Sequence, residues 1–135
     1  MTFREKSALA SLVAIGLVYG GYALSVGAGP LSGVQVLARM IGAIAALTAV
    51  MIVAHVAIVV EARPERIDER DRAVMWRSAR NGYVAVTLGL WAIPFLAILP
   101  VSRLFVANTA LAIMVLAELV NQASRLFYYR RGLTG

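Results

Sequence analysis

The sequence predicts an all-α membrane protein with four transmembrane helices arranged as two tandem helical hairpins. Three observations predict it. Hydrophobic residues make up 61% of 135 and charged residues only 15%, against roughly 25% charged in an average soluble domain. Four apolar stretches of about 17–21 residues use more than half the chain, each enough to cross a roughly 30 Å hydrocarbon core at 1.5 Å per residue. The basic residues, finally, fall almost all on one side of those stretches. With a mean hydropathy of +0.79, a soluble globule of this size has nowhere to bury so much apolar surface. The chain is long enough for one domain, residues 1–135, and not two.

The first stretch, Ser7 to about Val26, carries no charge. Arg4, Lys6, the apolar run and Ala23-Leu24-Ser25 imitate a secretory signal. The run is longer than a typical signal core, however, and is expected to stay as a span. Thr2-Phe3-Arg4-Glu5 ahead of it fits a capping box, with Thr2 as N-cap and Glu5 reaching back. The second stretch, Met40 to Val60, is broken only by His55. The third runs from Gly82 to about Leu99, and Pro94 is expected to kink it or end its regular bonding near Leu90. The fourth runs from Leu104 to Val120 with Glu118 near its end.

Arginine and lysine placement predicts orientation. Arg4 and Lys6 precede the first span; Arg63, Arg66, Arg70, Arg72, Arg77 and Arg80 lie between the second and third; Arg125, Arg130 and Arg131 follow the fourth. Only Arg39 and Arg103 fall on the other side, so both termini and the middle segment are expected in the cytoplasm. The net charge of +6 is then explained by insertion and lipid headgroups, and no direct nucleic-acid binding is expected.

The two halves repeat. Asp68-Glu69-Arg70-Asp71 is an acidic counterpart of the first capping box, and Pro30-Leu31-Ser32 matches Pro100-Val101-Ser102. Ala49 to His55 aligns with Ala112 to Glu118. The expected hairpins are residues 1–62 and 63–135, in the same membrane orientation. In this register the second helix outreaches the fourth by seven residues on the outer side, about 10 Å. Arg39 then falls at the outer interface, where a long cationic side chain can snorkel.

Few residues offer chemistry. No cysteine is present, which excludes disulfides and Cys-based metal sites. His55 and Glu118 are the only ionisable groups well inside the apolar stretches, and intramembrane charge marks a functional or packing site. They are expected at similar depth, as a proton-active pair or as a structural hydrogen bond, with Asn121 and Gln122 extending the network. Gly16-xxx-Gly20 and Ala85-xxx-Gly89 have close-packing spacing, suited to neighbouring helices of the chain or to a homodimer. No metal site or cofactor is expected, and the absence of HExxH, GxSxG and paired intramembrane carboxylates argues against an enzyme.

Residues 61–80 form a charged collar in which six arginines face five acids. Asp68, Glu69 and Asp71 suit a first helical turn, and Asp68 and Arg72 are spaced for an i,i+4 pair. Asp68, Glu69, Arg70, Asp71 and Arg72 are the expected docking residues for a cytoplasmic protein. Arg77, Arg80, Tyr128, Tyr129, Arg130 and Arg131 are the expected interface anchors, with Trp76, Tyr83 and Phe127 completing an aromatic belt.

Through Phe3-Arg4-Glu5-Lys6-Ser7, Asp68-Glu69-Arg70-Asp71-Arg72 and Tyr128-Tyr129-Arg130-Arg131, the chain resembles a family of small bacterial four-helix membrane proteins. That family carries a DER(D/E) motif in the cytoplasmic loop and is often encoded beside a small Cro/C1-type helix-turn-helix regulator. It has no established activity. The resemblance implies a bacterial inner membrane and a regulator-binding role. An accessory subunit of a larger membrane complex, and a small proton-coupled transporter using Glu118, are the competing expectations.

Overall fold

The structure is a computed structural model that describes residues 2–61 and 67–132. It contains helices α1 (Phe3–Gly27), α2 (Gly33–Glu61), α3 (Glu69–Leu90), α4 (Ala92–Ile98) and α5 (Arg103–Arg131), with no strand among the described residues. Four spans are long and apolar enough to cross a membrane: α1, α2, α3 together with α4, and α5. Two compact units divide the chain at Arg66. In the first α1 packs on α2; in the second α3 packs on α5, with α4 against both.

Local sequence explains the helix ends. Thr2 Oγ1 accepts from the Glu5 N–H while Glu5 accepts from the Thr2 N–H, and Asp68 and Asp71 make the same reciprocal pair. The caps of α2 and α5 are Ser32 and Ser102, whose hydroxyls accept from the Gln35 and Phe105 N–H groups. The Gln35 side-chain oxygen in turn accepts from the Ser32 N–H, a third capping box, absent from the sequence expectations. Pro94 has no N–H to offer the Leu90 carbonyl four residues back. Accordingly α3 ends at Leu90 and α4 restarts at Ala92. Gly132, at φ 82°, ends α5, a backbone conformation that glycine adopts without a Cβ clash.

The helices are inside-out by the standard of soluble proteins. Most buried positions are small or polar, with Ala8, Ser11 and Ala14 on α1, Ser78 and Gly82 on α3, and Ala117 and Gln122 on α5, beside the larger Ile15, Tyr22, Val36 and Val74. Leu17, Leu24, Val60 and Ile98 are each more than 70% exposed. So continuous an apolar exterior is at home only in lipid. In lipid, burial of apolar area no longer drives association, and close packing and hydrogen bonds do.

Helices α2 and α5 both contain 29 residues. Ser32 to His55 is seven residues longer than Ser102 to Glu118, and α5 runs thirteen residues past Glu118 where α2 runs six past His55.

Candidate functional site

Each unit carries its own polar cluster, built where helix faces that would otherwise meet lipid turn toward a neighbour. In the first unit His55 projects from α2 onto α1. Its Nδ1 lies 2.8 Å from the Met51 carbonyl and its Nε2 2.9 Å from Ser7 Oγ. A carbonyl only accepts, so in the neutral ring Nδ1 carries the proton and Nε2 accepts from the Ser7 hydroxyl. Ser11 donates to the Ser7 carbonyl one turn along. The Ser7–His55 contact joins the second turn of α1 to the last part of α2. It acts as a clasp between α1 and α2.

The two ends of this unit are clasped as well. Lys6 and Glu61 form an ion pair between the start of α1 and the end of α2. At the other end Arg39 donates to the Ser25 carbonyl, in the last turn of α1, where carbonyls lack helical partners and cations are favoured. Arg39 thus works as a C-terminal cap supplied by the neighbouring helix, in addition to any snorkelling.

In the second unit the polar seam runs along α3 and α5. Asn81 Nδ2 donates to Ser124 Oγ at 3.0 Å and to the Tyr128 hydroxyl at 3.1 Å. Gln122 Nε2 donates to Glu118 at 2.7 Å, and Asn121 adds longer contacts at 3.3 and 3.4 Å. The expected extension of a polar network from Glu118 through Asn121 and Gln122 is therefore present. Two glycines permit the approach of the helices. A Cβ on Gly82 would lie 3.1 Å from the Ala117 carbonyl oxygen, and one on Gly89 would lie 2.5 Å from Ile113 Cγ2. Beside the seam is an open groove of about 260 Å³, lined by Gly82, Tyr83, Val86, Met114, Glu118 and Asn121 among others.

His55 and Glu118 thus each have partners inside their own unit. Neither Ser7 nor Asn81 was singled out by sequence reasoning. A polar residue at the edge of an apolar run was the available signal, and Asn81 immediately precedes Gly82, where the third run was started.

The collar divides in two. Asp68 and Asp71 are spent on the α3 capping box. Arg70 reaches the Tyr129 carbonyl at 3.3 Å, near the end of α5, where it supplies a cation to unpaired carbonyls as Arg39 does for α1. The expected Asp68–Arg72 pair is replaced, because Asp68 turns its carboxylate to the Asp71 N–H. Glu69 and Arg72 stand exposed with Trp76, at i, i+3 and i+7 on one face of α3. Val74 and Ser78 are fully buried on the same helix. Residues 62–66 of the collar, including Arg63 and Arg66, lie outside the described residues.

Among the expected anchors, Arg80 and Arg130 are exposed and Arg77 is half-buried with a partner. Arg131 stacks over the Phe127 ring at 5.3 Å. The Tyr128 hydroxyl accepts from Asn81 and so is part of the hairpin seam. Tyr129 contributes its carbonyl to Arg70. No group of three or more potential metal ligands occurs among the described residues.

Compared with known proteins, the chain matches no family model, and no curated protein and no solved structure proves similar to it.

Proposed function

We propose that this chain is a multipass protein of a bacterial inner membrane that holds a cytoplasmic protein through the outward face of α3. The hairpins, residues 1–62 and 63–135, stand in tandem in the same membrane orientation, with both termini and the collar in the cytoplasm. The orientation is supported by the eleven basic residues on that side. It also predicts a simple result, because the chain has no native cysteine. Single cysteines at Gly29 and Val101 are expected to react with a membrane-impermeant maleimide from outside the cell. Cysteines at Glu69 and Gly132 are expected to react only after permeabilisation. Labelling of Glu69→Cys in intact cells would reverse the topology.

The observation that carries the docking role is the exposed triplet Glu69, Arg72 and Trp76. It combines both charges with a large aromatic on a helix start that is capped from both directions, and none of the three is needed for the caps. A rigid helix face lowers the entropy cost of binding, tryptophan and arginine are common energetic anchors, and charges of both signs set partner choice. The partner in this reading is a small cytoplasmic regulator. Gentle extraction of the tagged protein from its host is expected to bring a small DNA-binding protein with it. The double variant Glu69→Lys with Arg72→Glu is expected to lose that protein while inserting normally. Reversing Asp68, Arg70 or Asp71 is the wrong test, because each supports a helix end. Undiminished co-purification with Glu69 and Arg72 reversed would overturn the reading.

A second reading, an accessory subunit or a homodimer, is favoured by one feature of α1. Nothing approaches within 4 Å of a Cβ built on Gly16 or Gly20, so this close-packing face is not used inside the hairpin. Proton-coupled transport has less support, since α1 holds no charge in its apolar stretch and parallel repeats do not create an inverted-repeat transporter. The reading assigns no catalytic residue, no cofactor and no metal.

A further inference from the structure

Glu118 lies sixteen residues past the Ser102 cap, about 24 Å along α5 and so roughly 6 Å short of the far edge of a 30 Å hydrocarbon core. Its carboxylate is exposed on the helix surface and opens on the α3–α5 groove. Its hydrogen-bond donors are the neutral side-chain amides of Gln122 and Asn121, and no Lys or Arg among the described residues pairs with it. His55 offers no relief, since both its ring nitrogens are occupied within its own hairpin. A carboxylate at this depth without a counter-charge is costly.

The groove beside Glu118 is apolar apart from Asn121, with the Tyr83 ring and the Met114 thioether in its walls. Such a carboxylate, held by neutral amides alone, is satisfied by a cation that carries an N–H donor and an apolar body. An ammonium group supplies both the charge and a hydrogen bond for Glu118, and an aromatic face adds attraction for the same cation. A metal ion would lack the further ligands it needs among the described residues.

We propose that the α3–α5 groove is a binding site for a primary ammonium group joined to an apolar body, held by Glu118 and seated against Tyr83 and Met114. An aminophospholipid headgroup and a free hydrophobic amine share this chemistry. The site is independent of the docking face, as it uses neither Glu69 nor Arg72 nor Trp76.

The test is a calorimetric titration of the full chain, purified in a neutral detergent, with phenylbutylammonium and with phenylbutanol, which has the same body and no charge. The ammonium is expected to bind about tenfold or more tightly than the alcohol, a factor worth about 1.4 kcal/mol. Glu118→Gln keeps the shape and an acceptor for Gln122 and is expected to erase that preference. Tyr83→Leu sits on the exposed wall of the groove and is expected to weaken the ammonium severalfold while leaving the alcohol nearly unchanged. Equal binding of the two probes overturns the site, and so does an ammonium preference that survives Glu118→Gln. In lipid nanodiscs, competition by phosphatidylethanolamine but not phosphatidylglycerol identifies the headgroup as the source of the ammonium. Undiminished probe binding in phosphatidylethanolamine identifies a free amine.

Discussion

Replacing Gly89 by alanine is expected to destabilise the α3–α5 hairpin by about 1–3 kcal/mol, the usual cost of overpacking a close contact. The sign is not obvious, because alanine is the better helix former by roughly 1 kcal/mol. Packing decides it. The added Cβ would lie 2.5 Å from Ile113 Cγ2 and 3.3 Å from Ile113 Cβ. Isoleucine is branched at Cβ and holds essentially one χ1 rotamer in a helix, so it cannot swing away, and the helices must separate. Separation would also stretch the Asn81 bonds further along the same pair. The check is unfolding of the purified protein in mixed micelles. Ile113→Ala in the Gly89→Ala background is expected to recover most of the loss, with a coupling of about 1 kcal/mol or more. Gly16→Ala and Gly20→Ala, which meet nothing, are expected to be neutral or slightly stabilising in the isolated chain. Equal costs at Gly16 and Gly89 would mean that the α3–α5 packing is not as described.

Replacing Asn81 by leucine is expected to cost about 1–2 kcal/mol, since bonds between membrane helices average about 0.6 kcal/mol and reach about 1.7. One amide nitrogen serves both Ser124 and Tyr128, so its removal leaves two half-buried hydroxyls without a donor. Tyr128→Phe, which deletes a single bond and leaves Asn81 on Ser124, is expected to cost less than half as much. The double variant is expected to be scarcely worse than Asn81→Leu alone, because that interaction is already gone. The unfolding assay in micelles reads all three. An additive pair of effects would show that Tyr128 acts through packing and that its hydroxyl bond contributes little.

These outcomes depend on features that differ in how they can be read from the chain. The Gly16-xxx-Gly20 and Ala85-xxx-Gly89 spacings look alike, yet Gly89 receives a neighbouring helix and Gly16 and Gly20 receive none. Spacing states that a face is flat; which flat face is covered depends on how the helix is rotated against its neighbour. His55 was legible as a residue needing a partner, but the partner, Ser7, is 48 positions away. Arg70 read as a docking charge and is occupied by a carbonyl 59 positions along. In each case the sequence reports a demand for hydrogen bonds, and the meeting of two helix faces decides which group answers it.

What the sequence determined by itself is local. Four spans follow from the length of apolar runs, the ends of α1 and α3 from reciprocal caps within four residues, and the break at Leu90 from the missing N–H of Pro94. These effects act over one or two turns or sum along a single helix, so no tertiary information is needed. Tertiary structure alone decided that Arg39 and Arg70 close the far ends of neighbouring helices, that Tyr128 turns inward to Asn81, and that Glu118 opens on a groove with only neutral donors. The physical reason lies in the solvent. In hydrocarbon every outward apolar side chain is equally content, so hydrophobic pattern cannot orient one helix against another. A few polar groups and glycines set that orientation, and their partners become known only when the helices are seen side by side.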